Sequence, residues 1–305
     1  MSLSRAILDG VAVPLPGKAP FSCRDLAPLH HRSFDLPCED PFLRGAGTPA
    51  HAYLEGAKEG WHDHPEYMDF LDPTSPVFAL KTAERDLTMH HWEGWLEAAR
   101  VLDVGCGSGR FAMPFLDRGA TVVGVDGDHE SLRRCVWHAA GRPGRLDVHW
   151  SSVRSLPAIE PVDVVIAAEV LCYVPDLAGA LAAIRARLRP GGGLLLSVEA
   201  RWGWAASPDA PVGAVEAALG GEGVVHIPGD RWVRTMDREQ LEAALSESGF
   251  QVERIRATHY LTDGPLEGVL GECSLAEILE LEQRCRAHPV WRPLNRLWTA
   301  VAVRS

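Results

Sequence analysis

One segment, residues 101–110, restricts the fold more than any other part of the chain. An apolar strand there runs straight into a turn that contains Gly105, Gly107 and Gly109, and a helical pattern follows. Glycines at this spacing let a ligand lie against the backbone, and the first N–H groups of a helix are free to bind it. This sequence of elements is typical of the ligand-binding edge of a doubly wound sheet. An ordinary strand–helix turn is the alternative interpretation.

Strand and helix patterns alternate along the rest of the chain. Strands are predicted at 101–104, 121–125, 146–152, 162–168, 194–199, 251–260 and 297–303. Helices are predicted at 75–99, 110–118, 129–140, 176–189, 237–248 and 274–287. Apolar strands that alternate with helices predict an α/β fold with a doubly wound, mostly parallel seven-stranded sheet. Asp176 is the expected N-cap of its helix, and residues 190–193 (Pro-Gly-Gly-Gly) are expected to end that helix before the strand at 194.

Three segments do not fit this alternation. Residues 1–76 carry ten of the 22 prolines and predict an N-terminal cap or lid that wraps the main domain at 77–305. Their aromatic residues argue against the alternative, a disordered leader. Residues 201–235 and 262–293 are predicted to be inserted lid segments.

Charge and cysteine content restrict the classes of binding partner and the cellular location that the chain is expected to have. The net charge is −11, which argues against nucleic acid and against an anionic membrane surface. The chain shows no secretory signal pattern and no apolar run of 18 residues, so no membrane span is expected. Its seven cysteines are widely spaced and odd in number, which favours reduced thiols and a cytoplasmic location.

Three residues around the glycine turn distinguish between ligand classes. A dinucleotide pocket needs a third glycine where Arg110 stands. Asp103, two residues before the first glycine, would repel a pyrophosphate but suits an ammonium group. Asp126 ends the second predicted strand, where a carboxylate can bind both ribose hydroxyls. The two acids together favour S-adenosylmethionine over NAD as the cofactor, so an NAD-linked reductase is a lesser alternative.

Several segments resemble the class I S-adenosylmethionine-dependent methyltransferases. They are VLDVGCGSGR, VVGVD, SSVRSLP, VDVVIAAEVLCYVPD, LRPGGGLLLSVEA and MDREQLEAALSESGFQVERI. The resemblance covers about residues 99–260 and the final strand, and it covers neither the first 75 residues nor the two insertions. It implies a Rossmann-like methyltransferase domain, and an enzyme that moves a methyl group from S-adenosylmethionine to an oxygen or nitrogen of a small-molecule acceptor by in-line displacement.

The resemblance also implies roles for individual residues. Those implied at the methionine moiety are Gly105, Cys106, Gly107 and Gly109, with Asp103 at its amino group and Glu169 beside the sulfonium. Those implied at the adenosine are Asp126, Gly127, Asp128, Ser152 and Val153. Ser152 stands where the family often has an aspartate.

The acceptor side carries weaker signals. Tyr173 lies where many relatives have a histidine, and it is the candidate catalytic and substrate-binding residue, unless it only packs under the lid. Trp202 and Trp204 are candidates for the wall of the acceptor pocket or for the core of the insertion. The histidines and cysteines match no zinc pattern, so no metal is expected. Methylation of a protein or peptide and a non-catalytic, cofactor-binding role are the alternative functions. The oligomeric state is left open.

Overall fold

The structure is a computed structural model. It describes residues 5–8, 11–14 and 71–305, except 74, 76, 77, 128, 175, 207–213, 222, 227–231 and 262–272. Most of the predicted N-terminal cap therefore lies outside the described residues, apart from a short antiparallel hairpin of β1 (Arg5–Leu8) and β2 (Val11–Pro14). The wrapping role of residues 1–76 stays a prediction.

Eight α-helices occur in the described part of the chain. They are α1 (Phe78–His91), α2 (Ala112–Asp117), α3 (His129–Ala139), α4 (Leu177–Arg187), α5 (Arg201–Ala205), α6 (Ala214–Leu219), α7 (Arg238–Glu247) and α8 (Leu275–Ala287). Asp176 caps α4 as predicted, because its side chain accepts a hydrogen bond of 2.9 Å from the Gly179 N–H. No helix among the residues described is both long and apolar enough to cross a bilayer.

The remaining strands include the seven of the large sheet and a short hairpin within residues 201–235, the first predicted insertion. They are β3 (Arg100–Val104), β4 (Thr121–Asp126), β5 (Arg145–Trp150), β6 (Val162–Ala168), β7 (Leu188–Glu199), β8 (Val224–His226), β9 (Trp232–Arg234), β10 (Phe250–Thr258) and β11 (Leu297–Arg304). The order in the large sheet is β10-β11-β7-β6-β3-β4-β5. The β10–β11 and β11–β7 pairs are antiparallel, and the other four are parallel. The predicted sheet is thus confirmed.

The strand order places a ligand site at the carboxyl ends of β3 and β6. The chain builds β3, β4 and β5 outward in one direction and then returns to add β6 and β7 on the other side of β3. The helices that follow β3 and β6 therefore leave on opposite faces, and a crevice opens between the two strand ends. Open α/β sheets bind their ligands in such a crevice.

Alternate strand residues belong to two separate buried apolar clusters. Val101 lies in one cluster with α2 and α3, whereas its neighbour Leu102 lies in the other with α4 and α7. Successive side chains of a strand point to opposite faces, so both faces of the sheet are covered. Burial on both sides explains why these strands are almost entirely apolar.

The predicted boundary before the fifth strand of the sheet is wrong. Residues 190–193 do not separate α4 from a strand at 194, because β7 already begins at Leu188. Leu188 pairs with Val162, and the next regular pair joins Gly193 to Val164, so β7 accommodates extra residues in a bulge. Gly191 has φ +73° there, a conformation that glycine adopts without steric cost.

Candidate functional site

The glycine turn (residues 105–109) folds back onto the end of β4. The N–H groups of Gly105 and Cys106 both donate to the Val125 carbonyl, at 2.7 and 3.1 Å. Gly105, Gly107 and Gly109 have φ of +70°, +53° and +95°. All three glycines therefore hold left-handed conformations that other residues rarely adopt.

The three glycines face different surroundings. A Cβ atom at Gly105 would lie 2.5 Å from Val170 Cγ2, and one at Gly109 would lie 2.4 Å from Met113 Cε. A Cβ atom at Gly107 would meet no heavy atom of the described residues within 4 Å. Gly105 and Gly109 thus permit close packing of the turn, whereas Gly107 presents bare backbone to open space.

Asp103 is a buried carboxylate at the end of β3. Its side chain is almost inaccessible, and its Oδ2 atom has no hydrogen-bond partner among the residues that the structure describes. Burial, and next the charge of Asp126, raise the pKa of Asp103 to about 7. A buried acceptor without a partner is costly, so this position suits a cationic donor brought by a ligand.

Asp126 lies at the end of β4, on the other side of the turn. Its Oδ2 atom accepts a hydrogen bond of 2.8 Å from the Gly107 N–H. This contact ties the carboxylate to the turn and leaves it partly accessible. The structure therefore brings together the two predicted acids and the predicted glycines.

A network of charged side chains surrounds Arg110, which directly follows the turn. Arg110 contacts Glu169 at 2.6 Å and Glu84 at 3.3 Å, and Lys81 contacts Glu84 at 2.8 Å. Burial opposes ionisation of Glu169, but Arg110 and Lys81 outweigh it and lower its pKa to about 2. Burial also opposes the charge on Arg110, yet Glu169 and Glu84 raise its pKa. Glu169 and Arg110 are therefore held in their charged forms.

Sequence reasoning missed most of this network. The sequence shows Arg110 only as a residue that does not fit a dinucleotide pocket, and no motif marks Lys81 or Glu84 as site residues. Their spacing of three residues on α1 was the available signal, since such residues share one face of a helix.

Glu169 has an unusual backbone. Its φ is +55°, and its N–H donates to the Ser197 carbonyl at 2.9 Å and to the Ser197 hydroxyl at 3.1 Å. A left-handed conformation costs a non-glycine residue on the order of 1 kcal/mol, and such strain concentrates at functional sites. The hydrogen bonds to β7 fix the Glu169 carboxylate next to Arg110.

The residues predicted to surround adenosine lie near the ends of β4 and β5. The Gly127 carbonyl accepts a hydrogen bond of 2.8 Å from Trp150 Nε1. The Ser152 hydroxyl accepts one of 3.3 Å from the Arg154 N–H, and the Val153 side chain is buried in the core. Asp128 lies outside the described residues. The adenine-binding roles of Ser152 and Val153 stay predictions.

A largely buried guanidinium, that of Arg296, occupies the predicted acceptor side. Arg296 forms an ion pair with Glu199, and its guanidinium carbon lies 5.8 Å from the centre of the Trp204 ring. Trp204 is buried in a small cluster against which Tyr173 packs, whereas Trp202 is more than one-third exposed. Tyr173 and Trp204 thus lie in one region, which fits either a role in the acceptor pocket or a packing role. Trp202 lies outside that cluster.

Three buried groups that resemble nucleophiles or bases are engaged in packing. Both ring nitrogens of His259 have partners, Thr258 Oγ1 at 2.9 Å and Thr88 Oγ1 at 3.3 Å. Contact with Cys135 and burial raise the pKa of the Cys106 thiol, and burial raises that of Cys172. In the part of the chain that the structure describes, no group of three potential metal ligands comes together.

Fold and site together define a doubly wound α/β domain with a ligand crevice at the end of its first parallel strand. A family model described as "Methyltransferase domain" matches residues 63–255, which is more than half of the chain. The chain belongs to this methyltransferase domain family.

Curated relatives and solved structures agree with this assignment. A ubiquinone biosynthesis O-methyltransferase of Bradyrhizobium sp. (strain ORS 278) is 34% identical over 51% of this chain and 63% of the relative. One of Idiomarina loihiensis is 32% identical over 40% of this chain and 51% of the relative. The chain thus spans about half to two-thirds of the length of these relatives. The crystal structure of magnesium protoporphyrin IX methyltransferase from Synechocystis PCC 6803 has a TM-score of 0.53 at 16% identity, and the match covers 85% of this chain and all of the other. This likeness shows the fold.

Proposed function

We propose that this chain transfers a methyl group from S-adenosylmethionine to an oxygen or nitrogen of a small-molecule acceptor. The observation that carries the proposal is the buried, unpartnered Oδ2 atom of Asp103 beside a bare-backbone turn. An amino-acid ammonium is the donor that such a carboxylate lacks. The relatives named above as O-methyltransferases support the same activity.

Different residues of this chain would bind different parts of the cofactor. Asp103 would hold the ammonium, Gly107 would let the amino-acid part approach the backbone, and Asp126 would bind the ribose hydroxyls. S-adenosylmethionine supplies, when bound, a methyl group activated by the sulfonium. The protein's part is then to hold the acceptor in line with that methyl and to exclude water.

The charged network favours an electrostatic role for Glu169. A carboxylate with a pKa of about 2 is a poor proton acceptor near pH 7. Its fixed negative charge suits the neighbourhood of a sulfonium. We therefore assign Glu169 to positioning and charge balance.

The acceptor would enter between Tyr173, Trp204 and Arg296. Trp204 offers an apolar wall, and the charge of Arg296 beside it is already matched by Glu199. A small acceptor with a flat, apolar body fits these groups better than an extended basic chain does. Tyr173 is the candidate contact to the reacting atom. The cytoplasmic location and the absence of a nucleic-acid partner stay predictions.

Calorimetric titration with S-adenosylmethionine and S-adenosylhomocysteine tests the cofactor assignment. We expect saturable binding of both, weakened about tenfold or more by Asp126→Ala, since a hydrogen bond to a charged group is lost. Asp117→Ala, which removes an exposed carboxylate on α2, is the matched control and should bind normally. Absence of binding to the parent protein would end the proposal. Methyl transfer to cell extracts, before and after small molecules are removed, then separates small acceptors from proteins and from a non-catalytic role.

A further inference from the structure

A second cavity lies at the C-terminal end of α1. Its volume is about 350 Å³, within the range of small-molecule sites. It is lined by His90, His91, Glu93, Gly94, Arg254 and Arg256. None of these residues belongs to the cofactor or acceptor site described above.

Positive charge dominates this cavity. Arg254 and Arg256 are two residues apart on β10, so their side chains share one face of the strand. Arg254 donates a hydrogen bond to the His91 carbonyl. Arg256 is exposed, and its side chain makes no hydrogen bond or ion pair with any residue that the structure describes. Burial, and then the nearby charges of Arg254 and Arg286, lower the pKa of Arg256.

The lining contains one acid, which does not neutralise the arginines. Glu93 is exposed and forms no ion pair with them in the described part of the chain. Arg286, on α8, adds a third guanidinium close to Arg256, and its own hydrogen bond goes to the Ala257 carbonyl. Guanidinium groups crowded in this way repel one another unless an anion lies between them.

His91 supplies a buried polar atom that lacks a partner. The residue is only 5% exposed, and its Nε2 atom has no hydrogen-bond partner within the described part of the chain. Burial, and then the charges of Arg256 and Arg286, lower the pKa of His91 to about 3, so the ring is neutral. Its ring lies 5.6 Å from that of His90, which also lines the cavity. Buried polar atoms of folded proteins are normally satisfied, so an unpartnered one in a residue that lines a cavity points to a ligand.

We propose that this cavity binds a phosphate group, free or as part of a small phosphate monoester. Two arginines from β10 and a histidine from α1 line one space. A phosphate carries a charge of about −1.5 to −2 and three strong acceptor oxygens, and so can meet all three donors at once. Arg256 would form a new ion pair, and His91 Nε2 would gain a partner.

Titration of the whole protein with inorganic phosphate tests this site. Calorimetry at constant ionic strength, with chloride as the balancing anion, should show saturable binding to one site. Arg256→Gln should weaken it about tenfold, because a charge-assisted contact is lost. Arg284→Gln removes an exposed arginine of α8 outside the cavity, so it is the matched control and should bind like the parent.

A second readout and a second ligand sharpen the result. The imidazole NMR signal of His91, assigned by its loss in His91→Gln, should shift on addition of phosphate in the parent but not in Arg256→Gln. Glycerol 3-phosphate, titrated in parallel, distinguishes the sources: tighter binding indicates a phosphorylated small molecule, and weaker or equal binding indicates free phosphate. No saturable binding of either ligand, or equal loss in Arg256→Gln and Arg284→Gln, would overturn the proposal.

Discussion

The glycine turn differs from the acceptor side of the site in how its groups are held. Around the turn, the groups available to a ligand are backbone groups and two carboxylates. One of these, Asp103, has an oxygen without a partner among the described residues. On the proposed acceptor side, and in the network that lies between it and the turn, charges are already matched within the chain, Arg296 with Glu199 and Arg110 with Glu169. The first region is therefore incomplete without a ligand, whereas the second is electrostatically balanced before the acceptor arrives.

This difference says where ligand binding and where stability should reside. Changes to the carboxylates at the turn should alter cofactor affinity strongly, and some should even favour the empty protein, whereas changes to its packed glycines should lower stability. Changes in the balanced network should lower stability first. The four predictions below separate the two regions, from the largest expected effect to the smallest.

Substitution of Gly105 by alanine should destabilise the protein by about 2–4 kcal/mol. The φ of +70° strains the new residue, and its Cβ would lie 2.5 Å from Val170. Urea unfolding measures the effect. Gly191→Ala is the matched control, since its φ is +73° but no atom lies within 4 Å of the added Cβ. It should lose only the strain, about 1–2 kcal/mol. Equal losses in both variants would show that the turn is not packed against Val170.

Replacement of Asp103 by asparagine should lower the affinity for S-adenosylmethionine about 10–100-fold. A charge-assisted contact worth about 1.5–3 kcal/mol is lost, while the shape of the side chain is kept. The free protein at pH 8 should unfold at a temperature at least as high as the parent, because a buried charge has been removed. Calorimetry and thermal melts measure the two effects. A marked fall in melting temperature with unchanged affinity would mean that Asp103 is structural.

Cofactor affinity should depend on pH through Asp103. Its pKa is raised to about 7 from an ordinary 3.8, so below pH 7 it must lose a proton before it can hold an ammonium. Affinity should then fall by up to about tenfold per pH unit below 7.

The same raised pKa has the opposite effect on the free protein. The folded state keeps a proton that the unfolded chain has lost, so this group lowers stability as pH rises from about 4 to 7. Binding and melting curves from pH 5.5 to 8.5 test both slopes. Asp103→Asn should flatten them, and a slope that survives in this variant would assign the pH dependence to another group.

Replacement of Glu169 by glutamine should cost about 1 kcal/mol of stability. Arg110 loses one carboxylate but keeps Glu84, so the loss is smaller than for a fully orphaned buried charge. Because the pKa of Glu169 is lowered to about 2, this contribution is present above about pH 5 and is lost as pH falls towards 2. Glu97→Gln breaks an exposed pair with Arg118 and should change stability by about 0.5 kcal/mol or less. Equal effects in the two variants would show that the network is merely a surface feature.

The turn and the sheet could be predicted from the sequence because their signals are local. The charged network could not, because its partners are far apart along the chain. Glycine spacing and apolar strands are local signals, readable over ten residues. Arg110 and Glu169 are separated by 59 positions, and only the folded sheet brings them together. The bulge at residues 190–193 was missed because proline and glycine usually end elements, whereas here β7 absorbs them.

The position of β11 has a consequence for synthesis of the chain. This strand lies between β7 and β10, both of which are made earlier. Until β11 leaves the ribosome, β7 is an unpaired edge strand and β10 has no partner strand in the large sheet. A nascent chain halted between residues 260 and 290 would therefore carry exposed backbone that invites aggregation, and the protein would gain its final shape in one late closing step.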